Sequence, residues 1–181
     1  NTYLISWRNP LPDDKDGILE ATWDDYIEDG IIQAMNIVHE ISDKEQLNLA
    51  AFCVGGTMSA TAVAIQKARG IDNVKSLTLL TTFLDFTETG VMDVFIDEGM
   101  VLRNDLQLGK SGLATANMLN STFSWLRPNE LVWNYVVSHY FKGEAPSAFN
   151  ILFWNADSTN LPGPFYAWYL RNTYLENNLA K

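Results

Sequence analysis

Residues 47–70 constrain the fold of this chain more than any other segment. Leu47 to Phe52 is a short, largely apolar run that predicts a strand, and Thr57 to Arg69 has the pattern of a helix. Gly70 directly follows that helix and is a normal C-cap residue. A strand that leads into a helix through so short a turn is typical of α/β folds.

Similar patterns lie on both sides of this unit. The runs at 3–7 and 77–84 predict two further strands. Apolar residues that recur every three or four positions predict a helix over 26–41, and Thr22 with Asp25 has the spacing of a capping box at its start. The order strand, helix, strand, helix, strand predicts a right-handed parallel sheet with helices on its faces.

The turn itself has the sequence Ala-Phe-Cys-Val-Gly-Gly at 51–56. A nucleophile elbow is such a sharp strand-to-helix turn, which lifts one side chain clear of the sheet and has small residues on either side. In this arrangement Cys53 is the nucleophile, the helix N-terminus favours a thiolate, and the Val54 N–H donates to an oxyanion. Ala51 replaces the first glycine of the usual pattern. The elbow predicts an acyl-transfer enzyme with an α/β-hydrolase-type core.

A simpler explanation of Cys53 is that it packs in the core, since free cysteine is among the most buried residue types. It is the only cysteine, which excludes an internal disulfide and favours a reducing compartment. Chemistry and packing therefore both stay open for this residue.

A cysteine nucleophile needs a base, and the only histidines are His39 and His139. We expect both to be structural, because His39 lies near the C-terminal end of the first predicted helix and His139 lies in the region predicted as a cap. In α/β hydrolases the base follows the acid, late in the chain. We therefore expect the isolated chain to be inactive.

Two aspartates are candidates for supporting roles. Asp157 follows a run that resembles a late strand, as a triad acid would, but no histidine comes after it, and a turn or cap role explains it better. Asp85 lies just past the third predicted strand, near the carboxyl edge of the sheet, where α/β sites form. An ordinary turn or helix-capping role explains Asp85 equally well.

Composition narrows the classes of partner. The net charge of −10 argues against nucleic acid binding, which needs clustered lysine and arginine. No apolar run approaches the roughly 18–20 residues that a membrane span needs. The first residue is Asn1 rather than Met, so we expect the chain to have been cut from a longer protein.

Longer blocks of sequence point to one family. They comprise Ser-Trp-Arg-Asn-Pro at 6–10, Thr-Trp-Asp-Asp-Tyr at 22–26, the elbow at 52–57, Leu-Leu-Thr-Thr at 79–82, Leu-Asp-Phe at 84–86, the acidic block 93–99, Leu-Arg-Pro-Asn at 126–129, 131–135, 152–155 and 159–164. Together, and in this order, the blocks resemble the polyhydroxyalkanoate synthases, the short-chain (class I) type most closely. The resemblance covers almost the full length.

The resemblance implies a mechanism and partners. Cys53 would attack the thioester of a (R)-3-hydroxyacyl-coenzyme A and hold the growing polyester as an acyl-enzyme. Coenzyme A is the leaving group, and neither a cofactor nor a metal is implied. In the family, a downstream aspartate and histidine complete the triad, and neither lies within 1–181. The family also implies a homodimer in the bacterial cytosol, at the surface of polymer granules.

Two features leave alternatives open. The nucleotide of coenzyme A needs cationic partners, so either segments outside this acidic chain supply them or the acyl-pantetheine arm dominates recognition. The aromatic-rich stretch 149–174 is best explained as the core of a cap, with a dimer contact or a polymer-facing surface as the alternative.

The predicted organisation is a partial α/β-hydrolase core over 1–88, followed by an inserted, mostly helical cap or lid over 89–181. The predicted function is polymerisation of (R)-3-hydroxyacyl-coenzyme A through a Cys53 thioester. Its rivals are a thioesterase or esterase that uses the same elbow, and a non-catalytic interaction module in which Cys53 is buried.

Overall fold

The structure is a computed structural model that describes residues 1–145 and 159–181. The described strands form two small sheets. Strand β1 (Leu47–Phe52) pairs in parallel with β2 (Val74–Leu80), and the short strands β3 (Leu113–Ala114) and β4 (Leu161–Pro162) pair antiparallel. The parallel pair confirms the predicted fold class.

Helices make up most of the remaining described chain. The α-helical segments are α1 (Trp23–Asp25), α2 (Gln33–Ser42), α3 (Val54–Ala68), α4 (Glu98–Leu108), α5 (Ala116–Leu126) and α6 (Gly163–Tyr169). Wider π-helical turns run over Tyr26–Ile32, Asn129–Trp133, Val136–Phe141 and Leu170–Leu175, and 3₁₀ turns over Ile18–Glu20, Gly90–Val94 and Asn178–Ala180. No helix in the described ranges has the length and apolar character of a membrane span.

The strand predicted at residues 3–7 is wrong. Residues 1–10 form neither helix nor strand, and Leu4 is 94% exposed. An apolar run becomes a strand only beside a partner for its N–H and C=O groups, and no described strand pairs with this one. The Trp7 side chain instead stacks on Tyr26, with ring centroids 5.1 Å apart. Its indole also lies against Gly30, where a Cβ atom would come within 2.6 Å of the ring.

The first predicted helix is confirmed, with one change of geometry. The capping box forms as expected, since the Thr22 hydroxyl accepts the Asp25 N–H and the Asp25 carboxylate accepts the Thr22 N–H. Between α1 and α2 the chain forms the π-helical segment Tyr26–Ile32, which the 3–4 spacing did not predict. Ile27 and Ile31 in that segment are fully buried.

The central strand–helix–strand unit follows the prediction closely. Strand β1 has the predicted bounds, and Gly70 has the left-handed φ of 78° that a helix C-cap requires. Helix α3 begins at Val54, three residues earlier than predicted, because Cys53 alone makes the turn. Strand β2 begins at Val74 rather than at 77. It ends at Leu80 rather than at 84, because Thr81 adopts a φ of 48° that leaves the extended region.

Aromatic rings connect the early and late parts of the chain. Trp23 in α1 is buried and stacks on Phe165 and Tyr169 of α6 at centroid distances of 5.5 and 5.6 Å. A second cluster includes Val101, Ala114 and Leu170. These two clusters form the described core. The predicted division near residue 88 into core and cap stays a prediction.

Candidate active site

The turn at Cys53 has the geometry of a nucleophile elbow. Cys53 adopts φ 50° and ψ −130°, in a region that residues other than glycine rarely enter. Its N–H donates to the Leu80 carbonyl at 3.0 Å, and its carbonyl accepts the N–H groups of Gly56 and Thr57 at 2.9 and 3.4 Å. Hydrogen bonds on both sides therefore hold the strained residue between β1 and α3.

Cys53 is exposed to solvent, at the carboxyl end of the parallel pair. It is the N-cap residue of α3, a helix of 15 residues. A helix N-terminus has N–H groups without intrahelical partners and stabilises negative charge nearby. Val54 is the first residue of that helix, so its N–H belongs to this set, at the place where the elbow pattern predicts an oxyanion donor.

Small residues allow the tight turn. Ala51, which replaces the usual glycine, lies within β1 and pairs with Leu79, so the alanine does not disturb the strand. Gly56 is required, because a Cβ at this position would lie 1.9 Å from the Thr82 hydroxyl oxygen. Gly55 has open space around its Cα. Of these two glycines, only Gly56 lies in close contact with another residue, Thr82.

Two threonines after β2 contact the elbow, and the sequence pattern predicted no role for either of them. The Thr81 hydroxyl lies 3.5 Å from the Cys53 sulfur, and the Thr82 hydroxyl donates to the Cys53 carbonyl at 3.4 Å. The location of both threonines near Cys53 could be predicted from the sequence, since neighbouring parallel strands end at the same edge of a sheet. Their side-chain directions depend on the backbone turn at Thr81, which no local pattern predicts.

Asp85 lies in the loop after β2, where its carboxylate is held by several donors. Its Oδ1 accepts the Thr87 N–H at 2.9 Å, the Thr87 hydroxyl at 2.6 Å and the Asn177 side-chain amide at 2.8 Å. These donors, with the Thr87 hydroxyl first, hold the pKa of Asp85 below its usual range. The arrangement ties the loop to the C-terminal segment, and a supporting role for Asp85 at the site stays a prediction.

Neither histidine has a described hydrogen bond to the sulfur. The Nδ1–H of His39 donates to the Lys44 carbonyl at 2.5 Å, and its Nε2 is buried and unpartnered among the described residues. His139 contacts the ring of Tyr135 at 5.5 Å. Asp157 lies outside the described residues. Within 1–145 and 159–181, no group of three His, Cys, Asp or Glu side chains could hold a metal ion.

A cluster of three aromatic residues, Phe86, Tyr169 and Tyr174, lies near the elbow. Tyr174 contacts Phe86 and Tyr169 edge to face, at centroid distances of 4.9 and 5.7 Å. Burial raises the pKa of Tyr169 and of Tyr174, and both phenols interact electrostatically with Cys53.

A separate cleft of about 660 Å³ lies between residues 5–8 and the Tyr26–Ile32 segment, and Cys53 is not in its lining. The elbow, rather than this cleft, is the candidate active site.

The geometry agrees with the family that the whole sequence matches. Residues 2–178 match the alpha/beta hydrolase fold family, and the chain belongs to that family.

The resemblance to the polymerases is confirmed by individual relatives. The chain is 50% identical to the poly(3-hydroxyalkanoate) polymerase subunit PhaC of Cupriavidus necator, over 98% of this chain and 30% of the relative. It is 40% identical to a poly(3-hydroxyalkanoate) polymerase of Methylorubrum extorquens and 37% identical to a PhaC subunit of Rhizobium meliloti, over 99% of this chain and 29% of each. The chain thus spans somewhat less than a third of the length of these relatives.

Proposed function

We propose that this chain is the nucleophile-bearing segment of a poly(3-hydroxyalkanoate) polymerase, an acyltransferase. The observation that carries the proposal is the exposed Cys53, strained at φ 50° between a parallel strand and the N-terminus of α3. The relatives that match almost the full chain are named as polymerases, which makes acyl transfer to a growing polyester the reaction of first choice.

In the proposed reaction, the Cys53 thiolate attacks the carbonyl carbon of a (R)-3-hydroxyacyl-coenzyme A thioester. The negative charge moves to the carbonyl oxygen, where the Val54 N–H donates to it. The tetrahedral intermediate collapses when the bond to the coenzyme A sulfur breaks, and this sulfur leaves with the electron pair. The acyl group stays on Cys53 as a thioester. The hydroxyl of the next hydroxyacyl-coenzyme A then loses its proton to a base and attacks that thioester, and the Cys53 sulfur leaves as a thiolate. This thiolate attacks the thioester of the extended chain, so coenzyme A leaves and the longer polymer is again held on Cys53.

The proton of the thiol needs an acceptor, and the described geometry gives neither His39 nor His139 that role. We propose that the aspartate and histidine implied by the resemblance, outside this chain, complete the site. No cofactor is required by the proposed reaction, since coenzyme A is a product. The homodimer, the polymer granule surface and a cytosolic location belong to the same proposal.

Recognition of coenzyme A must be reconciled with the acidic chain. Three arginines are already paired with carboxylates of the chain, Arg8 with Asp14, Arg69 with Glu28 and Arg171 with Asp105. The paired carboxylates partly neutralise these three arginines and so weaken their attraction for the nucleotide phosphates. We therefore propose that the acyl-pantetheine arm dominates the contacts that this segment makes with the substrate.

The direct test replaces the matching segment of the Cupriavidus necator subunit with residues 1–181. With (R)-3-hydroxybutyryl-coenzyme A, we expect this chimera to release coenzyme A and form polymer, and Cys53→Ala to lose both. Release of free hydroxy acid without polymer would indicate the thioesterase or esterase alternative instead. Full polymerase activity in Cys53→Ala would refute the role of the sulfur. The interaction-module alternative required a buried Cys53, whereas the residue is exposed.

A further inference from the structure

The elbow contains a second strained residue besides the cysteine. Thr81 has a φ of 48°, and a β-branched residue at positive φ is a genuine outlier. The two strained residues are neighbours across the sheet, since Phe52 pairs with Leu80 and each strained residue directly follows one of them. Such strain persists only where the surroundings hold it, and it clusters at functional sites.

The strained turn places the Thr81 hydroxyl at the sulfur. Its Oγ1 lies 3.5 Å from Cys53 Sγ, within hydrogen-bond range for a sulfur atom. The next residue contacts the same elbow from another side, because the Thr82 hydroxyl bonds the carbonyls of Cys53 and Leu80. With an extended backbone at residue 81, β2 would continue and the chain would not make the turn that brings this hydroxyl to the sulfur.

We propose that Thr81 is a positioning residue, whose hydroxyl donates a hydrogen bond to the Cys53 thiolate and holds the sulfur at the mouth of the elbow. The inference rests on the proposed function for its role in acyl transfer. A thiolate accepts hydrogen bonds, and a bond to an ionised partner is stronger than one between neutral groups. The hydroxyl therefore stabilises the ionised sulfur before attack and restricts the direction from which it meets the thioester.

Other groups near the sulfur do not obscure the test. Among the described residues, Tyr169 and Tyr174 are titratable groups that interact electrostatically with Cys53. Burial raises the pKa of both phenols, so they stay neutral between roughly pH 6 and 9.5. Within that range, a change in the pH profile of the sulfur on removal of the Thr81 hydroxyl reports on this hydroxyl.

The test is the rate of Cys53 alkylation by iodoacetamide as a function of pH, in the 181-residue chain. Cys53 is the only cysteine, so thiol alkylation of this chain takes place at one residue, and the mass of the peptide that contains Cys53 reports it. We expect Thr81→Val to move the midpoint of the pH–rate profile up by roughly 0.5–1 unit, because it removes the hydroxyl and keeps the shape. Thr81→Ser keeps the hydroxyl and should keep the parent profile.

Two further variants separate the hydroxyl from backbone strain. Thr81→Gly relaxes the positive φ and also lacks the hydroxyl, so it should fold and shift the profile as Thr81→Val does. Thr78→Val removes an exposed threonine hydroxyl of the same strand and should leave the profile unchanged. If the valine and glycine variants both keep the parent profile, the inference is overturned. A shift in the glycine variant alone assigns the effect to the backbone and also overturns it.

Failure of this inference can be told from failure of the proposed function. Alkylation of the 181-residue chain needs no polymerase activity, so a shifted profile in that chain together with an inactive chimera would retain the contact and reject the polymerase. In an active chimera we expect Thr81→Val to lower kcat about five- to tenfold with little change in KM. If polymer formation depends on Cys53 but not on the Thr81 hydroxyl, the proposed function is retained and the role of Thr81 in it is rejected.

Discussion

At the residue scale, the chain maintains an unfavourable backbone at the position where chemistry is proposed. A cysteine at φ 50° and ψ −130° costs of order 1–3 kcal/mol relative to an ordinary conformation. Glycine adopts such angles without steric cost, so stability alone would favour glycine there. Glycine has no sulfur, and the strain is consistent with selection for a side chain rather than for stability.

Replacement of the cysteine makes the strain measurable. We expect Cys53→Gly to be more stable than Cys53→Ala by about 1 kcal/mol, because both remove the sulfur but only glycine relieves the positive φ. Urea unfolding of the two variants gives this difference. An alanine variant as stable as the glycine variant would show that residue 53 is not strained.

The adjacent glycines provide a matched pair. Gly56→Ala would place its Cβ 1.9 Å from the Thr82 hydroxyl oxygen, so we expect a loss of about 1–3 kcal/mol and an altered rate of Cys53 alkylation. Gly55→Ala has open space and a better helix propensity, and it should be neutral or slightly stabilising. The comparison fails if both substitutions have the same effect on urea unfolding.

At the element scale, patterns with local causes were predictable from the sequence. The bounds of β1 follow from a short apolar run, the capping box at Thr22 from residue spacing, and the left-handed Gly70 from residue type. The early strand at 3–7 was wrong because a strand needs a partner, which a single segment does not reveal. The π-helical segment and the contacts of Thr81 were not predictable, because long-range packing determines both.

The loop after β2 depends on a charge as well as on packing. Donors from Thr87 and Asn177 hold the pKa of Asp85 below its usual value. The ionised carboxylate therefore contributes stability in full above the unfolded-state pKa, and this contribution is lost as the pH falls through the lower folded-state value. We expect Asp85→Asn to be less stable than the parent near pH 7, with a difference that shrinks as the pH falls below about 4.

Urea unfolding at a series of pH values measures that difference. Asp72→Asn is the control, since Asp72 forms an exposed ion pair with Lys67 and has no part in the loop. A stability difference for Asp85→Asn that is the same at every pH would contradict the stabilising role of the charge.

At the scale of the whole molecule, aromatic packing joins sequence-distant segments. Phe165 is 2% exposed and contacts Trp23 and Tyr26, more than 130 residues earlier in the chain. Within the described part of the aromatic-rich stretch, Phe165 and Tyr166 are buried, whereas Trp168 is 41% exposed. The interpretation of this stretch as the core of a cap stays a prediction, and Phe149, Phe153 and Trp154 lie outside the described residues. Helix α6 packs beside α1, so the C-terminal segment contacts the first helix of the chain.

The ring contacts predict a large effect of one truncation. We expect Phe165→Ala to lower the free energy of unfolding by about 3–5 kcal/mol, because it removes a fully buried ring between two elements. Phe123→Ala, at a 59% exposed ring, should change it by less than about 0.5 kcal/mol. Urea unfolding followed by tryptophan fluorescence distinguishes the two, and equal losses would show that Phe165 does not anchor the core.

The central claim is that Cys53 carries the acyl group. The most direct measurement is mass spectrometry of the chimera, quenched in acid soon after mixing with (R)-3-hydroxybutyryl-coenzyme A. We expect a hydroxyacyl adduct on the peptide that contains Cys53, removable by hydroxylamine as a thioester is, together with release of coenzyme A. An acyl adduct on another residue, or polymer formed by the Cys53→Ala chimera, would contradict it.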